Sequence, residues 1–259
     1  MKILKKWLPA IASGVRRPWV LPAMVVADSF IAYFVPPYLT GDPKKARLPN
    51  LRTDLKWHYP MLVAHVATGT IAMATVPFQL WPALRENYPG LHRFLGRAYV
   101  FGGVIPSGIT ALVITPLASG PVGNGLGSVL WMGSTVAGYR AARQHRYDDH
   151  RRWMVYSFAL CMQIIEGRVM LLTLPHLPNF KPSWFPKILE TASWIGILLN
   201  LLGAQWWLDR TKPSAADLAK LAELANVTEL VEIEDLAELA KLVRSVAAAA
   251  PDALALPES

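Results

Sequence analysis

Four ionisable side chains, His65, Glu166, Arg168 and Glu190, lie inside long apolar stretches of the sequence. Such a group costs roughly 2.5–3.5 kcal/mol at the centre of a membrane on insertion scales unless it faces protein or water, so each is a functional candidate by default. Histidine exchanges a proton near neutral pH, carboxylates serve as acid, base or cation partner, and a guanidinium holds an anionic group. Counted at ~1.5 Å per residue from the outer ends of their segments, all four fall about 8–10 Å below one membrane surface. Opposite charges at one depth lower each other's desolvation cost. Glu166 and Arg168, two residues apart, stand about 200° apart around a helix, so they face different neighbours. One seam takes Gln163 with Glu166, the other Cys161 with Arg168.

A second constellation lies toward the opposite surface, where His92-Arg93, with Arg97 beyond, and His150-Arg151 each enter an apolar segment. Facing histidines at one depth could ligate a haem b, with Arg93 and Arg97 holding its propionates. Ordinary basic anchoring at the interface accounts for the same residues and is favoured over the cofactor. A second haem would need another histidine pair. His65 has no intramembrane histidine partner, and His58 and His176 lie near loops.

The segment that carries His65 has a uniform face: His65, Thr68, Gly69, Ala72, Thr75 and Gln79 follow helical three-four spacing, and every member is small or polar. Such a face belongs inside a bundle, where small residues let backbones approach and polar ones bond across. Gly102, Gly103 and Gly108 around Pro106 predict packing and a kink in the next segment. Asp28 sits alone within the first.

These residues need helices to hold them at depth. Six apolar segments, 18–39, 59–81, 95–115, 125–139, 153–174 and 185–208, approach the ~20 residues that cross a hydrocarbon core. The fourth is the weakest, and depends on 118–124 dipping into the interface. Backbone amides in lipid have no water to bond, so the segments are helices. The chain has 259 residues, 53% of them hydrophobic, 17% charged, with ten tryptophans and a positive mean hydropathy. That composition belongs to lipid rather than water. The expected class is therefore an all-α polytopic transmembrane bundle of about six spans. It has a basic N-terminal segment (1–17), a membrane part (18–208) and a short amphipathic helical tail (209–259).

Fifteen Lys and Arg fall in the loops on the N-terminal side of such a bundle and seven on the other. This bias orients the chain with both termini in the cytoplasm of a plasma membrane, against the local excess in 40–58. Arg16-Arg17 interrupts the first apolar run, 7–15, which argues against a cleaved leader. The formal charge of +8 hides two regions, with 21 basic against 8 acidic residues in 1–208 and 5 against 10 in 209–259. The basic excess thus belongs to the membrane part, where the lipid bilayer explains it better than nucleic acid does. In the tail, Ser214 before Asp217 and Asn226 before Glu229 have capping-box spacing. Its acidic faces suit a protein partner better than an anionic leaflet.

Cys161 is the single cysteine, so neither an intrachain disulfide nor a multi-cysteine zinc site exists. No phosphate loop, zinc helix motif, nucleophile elbow or dinucleotide fingerprint is present.

The succession of His65, Pro77-Phe78-Gln79, YPGLHRFLGRAYV at 88–100, HRRWMVYSFAL at 150–160, Arg168, and Glu190 ahead of Trp194 and Asn200 resembles the bacterial membrane proteins of domain of unknown function 2306. The resemblance covers about 59–208 and implies membrane residence. It marks His65, Gln79, His92, Arg93, Arg97, His150, Trp153, Arg168 and Glu190 as matching positions. Three function classes fit. The leading one is an outward-side intramembrane site that binds, or acts on, a small lipophilic or anionic molecule with proton exchange. The others are a haem b electron-transfer protein and a structural or assembly subunit.

Overall fold

The computed structural model describes residues 20–46 and 51–211, and every regular element among them is helical. The basic segment 1–17 and the tail's capping boxes lie outside the described residues. Four helices are long and apolar enough to cross a membrane: His58–Leu80 (α2), Pro89–Leu117 (α3), Tyr147–His176 (α5) and Pro182–Arg210 (α6). Before them comes α1, Val20–Phe34, and between α3 and α5 runs α4, Pro121–Arg143.

The two remaining segments of the anticipated six are α1, described over 15 residues from Val20, and α4. At 23 residues α4 has the length, but small and polar residues make up its packed face, while Val122, Val129 and Val136 are exposed. Gly123, Gly127, Ser134, Thr135, Gly138 and Ala141 form its buried face. A Cβ on Gly138 would stand 2.7 Å from Met154 Sδ on α5, and one on Gly127 3.0 Å from Gln163 Oε1. Residues this small lower the hydropathy of a segment while allowing backbones to approach.

The stripe on α2 packs against α3. Ala72 is fully buried, and a Cβ on Gly103 would lie 2.8 Å from the Ala72 amide nitrogen. Thr75 Oγ1 bonds back to its own helix, and Gln79 donates from Nε2 to the His92 carbonyl at 3.1 Å. Pro106, which lacks an N–H and crowds the preceding turn, explains the irregularity of α3. An α-helical run, Pro89–Arg97, passes into a π-helical stretch, Ala98–Val104, and resumes at Ile105.

The loop before α2 is folded back on the helix that follows. Asp42 accepts from the Lys44 amide and caps the short 3-10 turn Pro43–Lys45. Arg52 pairs with Asp54 at 2.6 Å and, by that hydrogen bond, holds the Asp54 carboxyl below its usual range. Both are well exposed, so the pair contributes little stability. More consequential is the Arg52 amide, which donates to His58 Nδ1 at 3.1 Å and sets that ring at the head of α2.

Just before α4 the chain passes close to α6. Gly120 has φ +93°, and a Cβ there would lie 3.0 Å from the Glu190 amide nitrogen. A left-handed backbone and a neighbour without room both require glycine. Pro121 then opens α4 at the position where a missing N–H costs nothing.

Candidate functional site

A cavity of about 330 Å³ lies among the helices, at the lower end of the ~300–1,000 Å³ of small-molecule sites. Phe30, Ile31 and Phe34 of α1, Met73 of α2 and Leu160 of α5 supply apolar wall. Its polar lining includes His65 on α2, Ser107 on α3, Asn124 on α4, and Gln163 and Arg168 on α5. Among the described lining residues Arg168 is the one Lys or Arg, and none is Asp or Glu.

His65 is held in one orientation by α3. Its Nδ1 lies 3.0 Å from the Ser107 carbonyl oxygen, while Ser107 Oγ donates to the His65 carbonyl at 3.2 Å. A carbonyl only accepts, so the contact to it places the proton on Nδ1, with Ser107 Oγ, 3.1 Å from the same nitrogen, turning its own hydrogen to the His65 carbonyl. The second nitrogen, Nε2, is then left with its lone pair. A Cβ on Gly69, one turn along, would meet Ser107 Oγ at 3.2 Å, so the glycine leaves room for the α2–α3 crossing that makes this bond.

The two-residue offset on α5 separates its ionisable groups as the helical geometry requires. Arg168 lines the cavity with its guanidinium carbon 5.7 Å from the centre of the Phe34 ring. Glu166 points to α6 instead, where Oε1 accepts from Asn200 Nδ2 at 2.8 Å and Oε2 would lie 2.7 Å from a Cβ on Gly196. Gln163 works the same seam, donating to the Ser193 carbonyl at 3.1 Å.

Glu190 is occupied at the start of α4. Its Oε1 accepts from the Gly123 amide at 2.7 Å and from Trp194 Nε1 at 2.7 Å, and its Oε2 from the Val122 amide at 3.2 Å. These amides belong to the first turn of α4, whose N–H groups have no intrahelical partner and whose positive dipole end favours a carboxylate. Of the four ionisable residues singled out by depth, His65 and Arg168 share the cavity. Glu166 and Glu190 are bonded to helix α6 and helix α4 and do not line it.

The paired histidines are set differently from each other. His150, in the first turns of α5, donates from Nδ1 to the Gly138 carbonyl at 2.9 Å. His92 is half-buried, its Nδ1 has no partner among the described residues, and it stands within electrostatic range of His150. Arg93 and Arg97 are exposed. Among the described residues no three His, Cys, Asp or Glu side chains gather as a metal site.

Two features were not legible in the sequence. One is a closed hydrogen-bond ring beside the cavity. Thr135 Oγ1 spends its hydrogen on the Trp131 carbonyl at 2.7 Å. Ser157 therefore donates to Thr135 at 2.6 Å, Tyr99 to Ser157 at 2.6 Å, and Trp131 Nε1 to Tyr99 at 3.1 Å. The ring begins and ends on Trp131, and Tyr99, Thr135 and Ser157 are fully buried within it. Scattered hydroxyls on three helices carry no periodic signal that would reveal it. The other is Tyr38. It is 1% exposed and lines the cavity, because the short helix Pro36–Leu39 turns it inward and Tyr59 Oη donates to its carbonyl at 2.9 Å.

No curated protein and no solved structure matches the chain. The model of one protein family does match, over residues 62–208, which takes in His65, both His-Arg motifs, Arg168 and Glu190 and leaves out α1, Tyr38 and His58. With most of its length in that match, and with four apolar helices long enough to span a bilayer, the chain belongs to the family described as predicted membrane protein (DUF2306).

Proposed function

We propose that this membrane protein binds a small lipophilic molecule with an oxygen-rich or anionic head in the cavity between α1 and α6, with proton exchange at His65. The observation that carries the reading is the lining itself, which among the described residues is largely apolar, with neutral polar groups and the guanidinium of Arg168 on its wall. His65 Nε2, freed by the Nδ1 bond to Ser107, is the proton acceptor of this site. Glu166 and Glu190 are assigned positioning roles, since their hydrogen bonds fasten α6 to α5 and to α4. The bundle is read as six spans with both termini in the cytoplasm of the plasma membrane, which puts the cavity in the outer half. Cysteine labelling of intact cells should then reach 40–57 from outside and Arg140–Arg152 only after permeabilisation.

The binding test uses protein in lipid nanodiscs and a fluorescent acyl probe displaced by decanoate. Loss of hydrogen bonds to a charged group, about 1.5–3 kcal/mol, corresponds to at least a tenfold weaker decanoate affinity in Arg168→Gln. Wild-type affinity in a folded Arg168→Gln protein removes Arg168 from the site. The buried, unpartnered Nδ1 of His92 beside His150 supports a second reading, haem b ligation at the inner face, which optical spectroscopy decides.

A further inference from the structure

Resting on the cavity as a ligand site, we propose that Tyr38 and His58 form its head-group subsite, a pair of neutral donors that takes a carbonyl or carboxylate oxygen of the bound lipophile. Neither residue falls in the family-matched segment, 62–208.

Three observations converge on it. Tyr38 is 1% exposed and on the cavity wall, yet its hydroxyl has no hydrogen-bond partner among the described residues. A buried hydroxyl without a partner is costly and rare, so something must complete it, and the adjoining space is where a partner can enter. His58 is 2% exposed and lines the same space. Its Nδ1 accepts from the Arg52 amide at 3.1 Å, so the proton of the neutral ring sits on Nε2, and that nitrogen is a donor.

The two residues are tied together. Tyr59, next to His58, holds the Tyr38 carbonyl at 2.9 Å, and so fixes the short helix Pro36–Leu39 against the head of α2. Both side chains offer hydrogens and neither brings a fixed charge, which selects an acceptor oxygen. Phe34, one turn before Tyr38, lies under the Arg168 guanidinium, and with Phe30 and Ile31 it continues the wall as apolar surface for a hydrocarbon tail. A head held between Arg168 and the Tyr38–His58 pair, with its tail running on along Phe30 and Ile31, is the orientation this lining favours.

The test reads displacement of the fluorescent acyl probe by a medium-chain methyl ketone, by decanoate and by decane, using full-length protein in nanodiscs. Tyr38→Phe removes one oxygen and should weaken the ketone, the carboxylate or both about two- to tenfold, the range of a single hydrogen bond, with decane unchanged. Loss in the ketone arm alone assigns a carbonyl head, and loss in the carboxylate arm alone assigns an acid. His58→Asn should act in the same direction, because Asn keeps an acceptor for the Arg52 amide and withdraws the Nε2 donor. Ligand-free Tyr38→Phe should be at least as thermostable as the parent, since it discards an unsatisfied hydroxyl, whereas a purely structural tyrosine would lose stability.

Unchanged affinity of all three compounds in a folded Tyr38→Phe protein overturns the subsite and leaves the cavity reading standing, with water as the partner of Tyr38. Failure of every compound to displace the probe from the parent protein overturns both.

Discussion

Removing the Glu190 carboxylate should loosen the start of α4 without emptying the cavity. Glu190→Ala orphans the Val122 and Gly123 amides, the first-turn N–H groups it satisfies at 3.2 and 2.7 Å, and frees Trp194 Nε1. Hydrogen bonds to a charged acceptor are worth about 1.5–3 kcal/mol each, and a carboxylate at a helix N-terminus adds about 0.3–1 kcal/mol. Glu190 is half-exposed and the Val122 bond is long, which holds the total to about 2–4 kcal/mol. Glu190→Gln keeps one oxygen to accept from Gly123 and loses the charge, so about 1 kcal/mol is expected. Reversible unfolding in mixed detergent and SDS micelles should rank the parent above Gln and Gln above Ala. Hydrogen exchange should rise in the peptide covering 118–127 and stay unchanged around His65. A Glu190→Ala protein that unfolds within ~0.5 kcal/mol of the parent, the range of a neutral surface change, refutes this role. So does a fully stable Glu190→Gln protein that loses ligand binding, because the carboxylate would then belong to the ligand chemistry.

Two glycine substitutions should differ sharply. In Gly103→Ala the new methyl meets Ala72 backbone at 2.8 Å, which cannot yield, and should cost about 1–3 kcal/mol in the same unfolding assay. In Gly196→Ala it meets Glu166 Oε2 at 2.7 Å, the end of a flexible side chain, so stability should fall less while the Asn200 bond is displaced. Tyr99→Phe breaks the closed ring and leaves Trp131 Nε1 without its acceptor. A loss of about 1–3 kcal/mol, with a changed tryptophan emission, is expected. Visible spectra of purified protein before and after dithionite should show no haem bands. Bands that vanish in His92→Ala or His150→Ala but persist in His65→Ala would establish the electron-transfer reading instead.

Counting from segment ends placed His65 and Arg168 at one level, and the cavity takes in both. The same count grouped Glu166 and Glu190 with them, although each bonds away from the cavity. The α2 stripe was legible as an interior face because Gly69, Ala72 and Thr75 recur at helical spacing, whereas nothing in Pro36-Pro37-Tyr38 reveals which way the turn folds.

The sequence by itself determined the solvent, the helical class and the family, for these follow from additive quantities: summed hydropathy, charge content and local motif strings. The tertiary structure alone decided which polar groups meet. Each residue turns a helix by about 100°, so partners depend on the rotation and tilt of every neighbour, which no single segment encodes. It also decided the character of α4. A helix rich in glycine and serine scores as a poor span by composition, and only its fit against α5 shows that those small residues serve close packing rather than contact with lipid.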